Sequence, residues 1–180
     1  MSKVLVITTS LRPNSNSDIL ATRLIAGAKE AGHKVERIGL KGKKIGFCTG
    51  CLLCQETHEC IIKDDATWIA KKVKGADSLV FVLPIYYGDM PGQMKTLLDR
   101  LFPIHRTEYN FRRVYMLSTA EEEEEFIPEI AMDGLIGWTD TFFESNLIES
   151  LFCGGYVTPG EAKDRKDDLE AAFEFGKGIL

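Results

Sequence analysis

The stretch Thr8-Thr9-Ser10-Leu11-Arg12-Pro13-Asn14-Ser15-Asn16-Ser17 decides how this chain is read. Ahead of it runs Val4-Leu5-Val6-Ile7, an apolar segment of the kind that forms a strand buried on both faces. Behind it, Leu20, Leu24, Ala28 and Ala31 recur at helical spacing. They predict a helix from Ser17 to about Ala31, with Asn16 or Ser17 as its cap and Gly32 as a left-handed stop. The stretch is therefore a strand-to-helix loop. The hydroxyls of Thr9, Ser10, Ser15 and Ser17 and the free amides of the helix start can donate hydrogen bonds to a phosphate. Arg12 adds a charge, and the helix dipole favours the anion. A polar turn that only caps the helix would carry the same residue types.

Outward from this loop, strands and helices alternate. Val35–Ile38, Ser78–Leu83, Val114–Leu117 and Leu147–Cys153 read as further strands. Helices are predicted from Asp64-Asp65 to Gly75, Met90 to Leu101 with Pro91 in the first turn, about Pro128 to Phe143, and Glu161 to about Gly176. Lys41 to Cys60 is a long irregular connection. No linker or repeat divides the chain, so one domain is expected over 1–180. Five strands alternating with helices call for an α/β fold, a parallel sheet covered on both faces. In the flavodoxin-like order 2-1-3-4-5, the loops at 9–17, 84–88 and 118–120 meet at the carboxyl edge, where such sheets bind ligands.

The totals narrow the function. The chain has 180 residues, a net charge of −5 and a pI near 5.3, so no nucleic-acid footprint is expected. No apolar run approaches membrane length, and the first residues lead straight into a strand rather than a signal peptide. A cytoplasmic location follows as the default. Thiols stay reduced there, so the five cysteines suggest metal, cluster or redox chemistry before disulfides.

Loop two, Pro84-Ile85-Tyr86-Tyr87-Gly88, offers two aromatic rings and a glycine that lets backbone approach closely. A phosphate at loop one and rings at loop two suit a ring-bearing phosphorylated cofactor. In order along the chain, SLRPNSNS, PIYYG-x-MP and MKTLLDR resemble the NAD(P)H-dependent FMN reductase family of flavodoxin-like proteins. The cysteine-rich insert with Cys60-Ile-Ile-Lys-Asp-Asp resembles its iron–sulfur flavoprotein branch. The resemblance implies FMN as cofactor. It implies that Ser10, Arg12, Ser15, Asn16 and Ser17 hold the phosphate. Pro84, Ile85, Tyr86, Tyr87 and Gly88 would flank the ring, with Ser118, Thr119 and Ala120 on its other side. It also implies a homodimer or homotetramer. Glu121 to Glu125 depart from that pattern, and are expected to be a solvated acidic start to the next helix.

Cys48-x2-Cys51-x2-Cys54-x5-Cys60 is the sharpest motif. Repeated x2 spacing lets thiolates from one tight loop converge on a [4Fe–4S] cluster. Free or packed thiols, and a zinc site with His58 as a substitute ligand, stay open. Cys153 is expected in the core, and His33 and His105 in surface or structural roles. No nucleophile–base triad and no paired carboxylates stand out, which fits a protein whose cofactor carries the chemistry. The expected activity passes electrons from NAD(P)H through FMN to a small acceptor such as a quinone or flavin. Tyr86 or Tyr87 would stack the nicotinamide. With a cluster, a ferredoxin-like partner becomes available. The alternatives are an electron carrier without substrate turnover and a redox- or metal-sensing protein built on the cysteine loop.

Overall fold

The computed structural model describes residues 1–180. Five strands, β1 (Lys3–Thr8), β2 (Lys34–Gly39), β3 (Ser78–Pro84), β4 (Arg113–Thr119) and β5 (Asn146–Cys153), pair in parallel in the order β2-β1-β3-β4-β5. The expected flavodoxin-like order is thus the one formed. Side chains along a strand face alternate layers. Val4 and Val6 of β1, with Val80 and Val82 of β3, pack beneath helices α1 (Asn16–Glu30) and α6 (Lys166–Lys177). Leu5, Ile7, Phe81 and Leu83 face the other layer. That layer contains α3 (Asp65–Lys74), α4 (Gly92–Arg100) and α5 (Glu129–Thr139). One short helix, α2 (Cys54–Thr57), lies within the insert between β2 and α3.

Helix α1 ends as the sequence suggests. Gly32 has φ +88°, its N–H donates to Lys29 O, and the N–H of His33 donates to Ala28 O, which together make a Schellman motif. Its start differs by one or two residues. Ser15 occupies the cap position and makes no side-chain capping bond. Helix α4 begins at Gly92, with Pro91 outside as its cap in extended conformation rather than inside the first turn. Helix α5 stops at Thr139, short of Phe143, because the chain turns there and Phe142 folds back into the core. The last predicted helix is interrupted: Glu161–Lys163 forms a 3₁₀ turn before α6 begins.

Glu121–Glu125 do not begin a helix. They form an exposed loop and α5 starts only at Glu129, which corrects the expectation for this run. The loop is held against the chain leaving β5, where Gly155 N–H donates to Glu122 O and Tyr156 N–H to Ala120 O. A Cβ at Gly154 would lie 2.2 Å from Glu122 O, so the close approach needs glycine.

Candidate functional site

Thr9 is fixed first. Its N–H donates to Val82 O at 2.9 Å, and its carbonyl accepts from Gln93 Nε2 of α4 at 2.8 Å. From there the chain passes through Asn14, in left-handed conformation at φ 53°, to the start of α1. The backbone N–H groups of Ser15, Asn16 and Ser17 donate to nothing in the chain. Three free donors at the positive end of a 15-residue helix form an anion seat.

Loop two is a tight turn. Tyr86 and Asp89 exchange backbone hydrogen bonds of 2.9 and 3.1 Å around Tyr87 and Gly88, both at positive φ. For Gly88 this conformation is free; for Tyr87, at φ 52°, it costs about 1–2 kcal/mol. Tyr87 holds its ring wholly in solvent, and its N–H and that of Gly88 have no partner in the chain. Ile85 N–H donates to Thr119 O at 2.8 Å, which ties loop two to loop three.

These loops line one cleft of about 590 Å³. Ser10, Arg12, Ser15, Asn16, the whole of Pro84–Gly88, Thr119 and Ala120 all border it. Ser17 and Ser118 do not reach the wall. Ser17 is buried with its hydroxyl 2.8 Å from that of Ser15, and Ser118 is buried with its Oγ unpaired. The Asn16 side chain is already engaged. It donates to Thr158 O and accepts from the N–H groups of Gly160 and Ala162. Only its backbone amide is left for a phosphate, so its expected side-chain role becomes one of holding the 158–162 loop beside the cleft.

Glu121 and Glu122 also border the cleft, and so do Ile127, Tyr156, Val157 and Pro159, four residues that no motif in the sequence marks. They come from chain beyond β4 and β5, where only the Gly154-Gly155 pair hints at a close approach. Tyr156 donates its hydroxyl to Asp168, and burial followed by that carboxylate pushes its pKa well up. Burial, then Asp168, pushes the neighbouring Cys153 thiol up to about 12, so it stays a protonated core group. Arg12 is the one cation on the cleft wall.

The cysteine insert forms a second concavity, distinct from the first. Gly50, Leu52 and His58 all have positive φ, and these bends turn Cys48, Cys51, Cys54 and Cys60 toward one cavity of about 430 Å³. Leu98, Phe102, Trp138 and Phe142 supply its apolar wall. Burial, then the neighbouring Cys60, Cys51 and Cys48 thiols, push the Cys54 thiol up. All five cysteines are free, and no three ligating side chains close on a single ion position. His58 caps α2 and does not border the cavity, so it is not placed as a substitute ligand. His105 does border it, stacked on Phe102 with centroids 5.5 Å apart, a placement that its isolation in sequence did not suggest. By donor chemistry, four thiols bordering one apolar-walled cavity are of the soft kind that iron–sulfur groups take, though they are not drawn together around one point.

The NADPH-dependent FMN reductase family matches residues 2–125. This chain belongs to that family. It is 37% identical over 102 residues to an iron–sulfur flavoprotein of Methanocaldococcus jannaschii, a match covering 57% of this chain. The chain spans about half of that relative, 53% of its length. An iron–sulfur flavoprotein of Archaeoglobus fulgidus is 27% identical over 184 residues, covering 98% of this chain and 78% of that one. Among solved structures, the NAD(P)H:quinone oxidoreductase from Methanothermobacter marburgensis superposes with a TM-score of 0.77 at 21% identity. That match covers 98% of this chain and 94% of the other, and at such identity it establishes the shared fold. Within this flavodoxin-like FMN reductase fold the cleft lies at the carboxyl edge beside the β1/β3 switch point. No helix of the chain is long and apolar enough to cross a membrane.

Proposed function

We propose that the protein is an FMN-dependent NAD(P)H oxidoreductase that passes electrons to a small acceptor such as a quinone or flavin. The observation that carries this reading is the uncapped start of α1. The unpartnered amides of Ser15 and Asn16, with that of Ser17 behind them, and Arg12 border the same cleft as the Tyr86–Gly88 turn. When bound there, FMN supplies hydride acceptance and release in one- or two-electron steps. The chain supplies the rest. Ser15, Asn16 and Ser17 donate backbone N–H groups to the phosphate, Ser10 and Ser15 lend hydroxyls, and Arg12 neutralises its charge. Pro84, Ile85, Tyr86, Tyr87 and Gly88 form one wall for the ring, with the Tyr87 and Gly88 N–H groups free to bind its polar edge. Thr119 and Ala120 form the opposite wall, and Ser118 backs it. The exposed Tyr86 and Tyr87 rings give a nicotinamide an aromatic surface to stack on. Glu121 and Glu122 at the rim disfavour added negative charge in the cleft.

The insert is read as a [4Fe–4S] loop, with Cys48, Cys51, Cys54 and Cys60 as ligands. Such a cluster would supply one-electron exchange, for instance with a ferredoxin-like protein. The names of the two relatives and the four sulfurs on one cavity support this reading. A reduced, cytoplasmic setting and a homodimer or homotetramer complete it.

The test is anaerobic purification followed by FMN titration and NAD(P)H oxidation with a quinone acceptor. One FMN per chain and steady turnover are expected. In an Arg12→Ala variant, FMN should bind more weakly by about 1.5–3 kcal/mol, read by fluorescence. FMN binding without NAD(P)H turnover would overturn the enzyme reading and leave a carrier of the flavodoxin kind.

A further inference from the structure

Arg100, the last residue of α4, is only 2% exposed. Its Nη1 donates to Gly46 O and Asp64 Oδ2, each at 2.7 Å. Its Nη2 donates to Ile62 O at 3.0 Å and to Asp64 Oδ1 at 2.9 Å. Four protons therefore have four acceptors, and two of these, Gly46 and Ile62, bracket the cysteine loop at its two ends. The fifth donor, Nε–H, is buried with no acceptor. A donor left unpaired at this depth costs about 1–3 kcal/mol, so a partner is to be expected.

Cys60 is the group placed to be that partner. It lines the same pocket of about 290 Å³ as Arg100. Cys60 also stands two residues before Ile62, whose carbonyl already holds Nη2, while His58, the other free acceptor on the pocket wall, belongs to the C-cap of α2. The hydroxyls of Thr57, Thr67 and Thr107 donate to backbone carbonyls, and Glu59 pairs with Lys63 and Lys71.

We propose that Arg100 is the positioning residue for the iron–sulfur loop: its Nε–H donates to the sulfur of Cys60 when that sulfur is a thiolate ligand. This rests on the reading of 48–60 as a cluster loop. Arg100 thereby does two things. It closes the loop at Gly46 and Ile62 before any iron arrives, and it sets a fixed positive charge and a donor beside one ligand sulfur. Hydrogen bonds to ligand sulfurs tune cluster potentials, and this one favours the more negative, reduced state.

The experiment loads the full-length protein anaerobically with ferrous iron and sulfide, as wild type and as Arg100→Lys, which keeps the charge and loses the fork. About four iron per chain are expected in the wild type. Arg100→Lys should have a more negative midpoint potential and should lose iron to a chelator roughly 10–100-fold faster. FMN content, which reports a separate site, should be unchanged. Because the variant loses a buried pair, a second measurement uses the wild type alone. Pulsed EPR of the reduced protein, grown with guanidino-¹⁵N-arginine, should show a nitrogen coupling to the cluster. A wild type that takes up no iron overturns the cluster reading and this proposal with it. A loaded wild type without the arginine coupling, or an Arg100→Lys variant of unchanged potential and iron retention, overturns the role of Arg100 alone.

Discussion

At the scale of single residues, Tyr87 carries the clearest conflict between stability and use. Its backbone sits at φ 52°, a conformation a bulky residue adopts at a cost of about 1–2 kcal/mol, and its ring gains no burial in return. A residue kept in that state is held for what its ring or its amide does. Tyr87→Gly should therefore raise the urea midpoint, because the turn becomes strain-free. The same change should lower kcat/KM for NAD(P)H several-fold through loss of the stacking surface. Equal turnover in variant and wild type would remove Tyr87 from the nicotinamide site. Residue roles were only partly legible in sequence. Ser10, Arg12, Ser15 and the PIYYG turn could be read because loop position and chemistry coincide. Asn16 and Tyr156 could not, since their partners lie more than a hundred residues away or on chain that only the β4–β5 edge brings near. Arg100 was missed because its isolation from Asp64 in sequence hides a buried pair.

At the scale of elements, the contact between α1 and α6 fixes where the anion seat points. A Cβ on Gly27 would meet Phe173 O at 2.0 Å, and one on Gly176 would meet Leu24 O at 2.0 Å. Alanine is the better helix former by about 1 kcal/mol, but forcing two backbones apart in a packed layer costs typically 1–3 kcal/mol. The steric cost is expected to win. Gly27→Ala should lower stability by about 1–2 kcal/mol in urea unfolding, and should weaken FMN binding because the start of α1 shifts with the helix. A stabilised variant would mean that the helices relax without strain. The elements themselves were legible wherever periodicity was strong, which is why every strand appears within two residues of its expected bounds. The boundaries that moved have local causes. Pro91 supplies an extended cap rather than a first turn, and the glutamate run is drawn away from helix by its backbone bonds to Gly155.

At the scale of the whole molecule, the sheet order was legible because parallel pairing and right-handed crossovers leave few choices. The course of the insert was not, since it has almost no regular structure and is held by one buried ion pair. That pair sets an acid limit. Burial pushes Asp64 up, but hydrogen bonds from Arg100, Gly46 and Ala66 outweigh it and hold the carboxyl below its ordinary 3.8. A lowered folded-state pKa gives stability that is present above the unfolded value and lost as pH falls through the folded one. Unfolding below about pH 4 should thus begin with the insert, seen as faster reaction of the part-buried Cys54 and Cys60 with an acid-active reagent such as dithiodipyridine before the global transition. The two concavities, in contrast, share no lining residue. Ligands at sites without shared partners stabilise independently. FMN at a hundred times its Kd adds about 2.7 kcal/mol, which for a chain of this length raises Tm by roughly 5–10 °C. The same rise is expected in a Cys48→Ser variant, measured by scanning calorimetry with and without FMN. A smaller rise in that variant would show that the cysteine insert and the FMN cleft are coupled through the sheet, and that the two sites do not act as separate thermodynamic units.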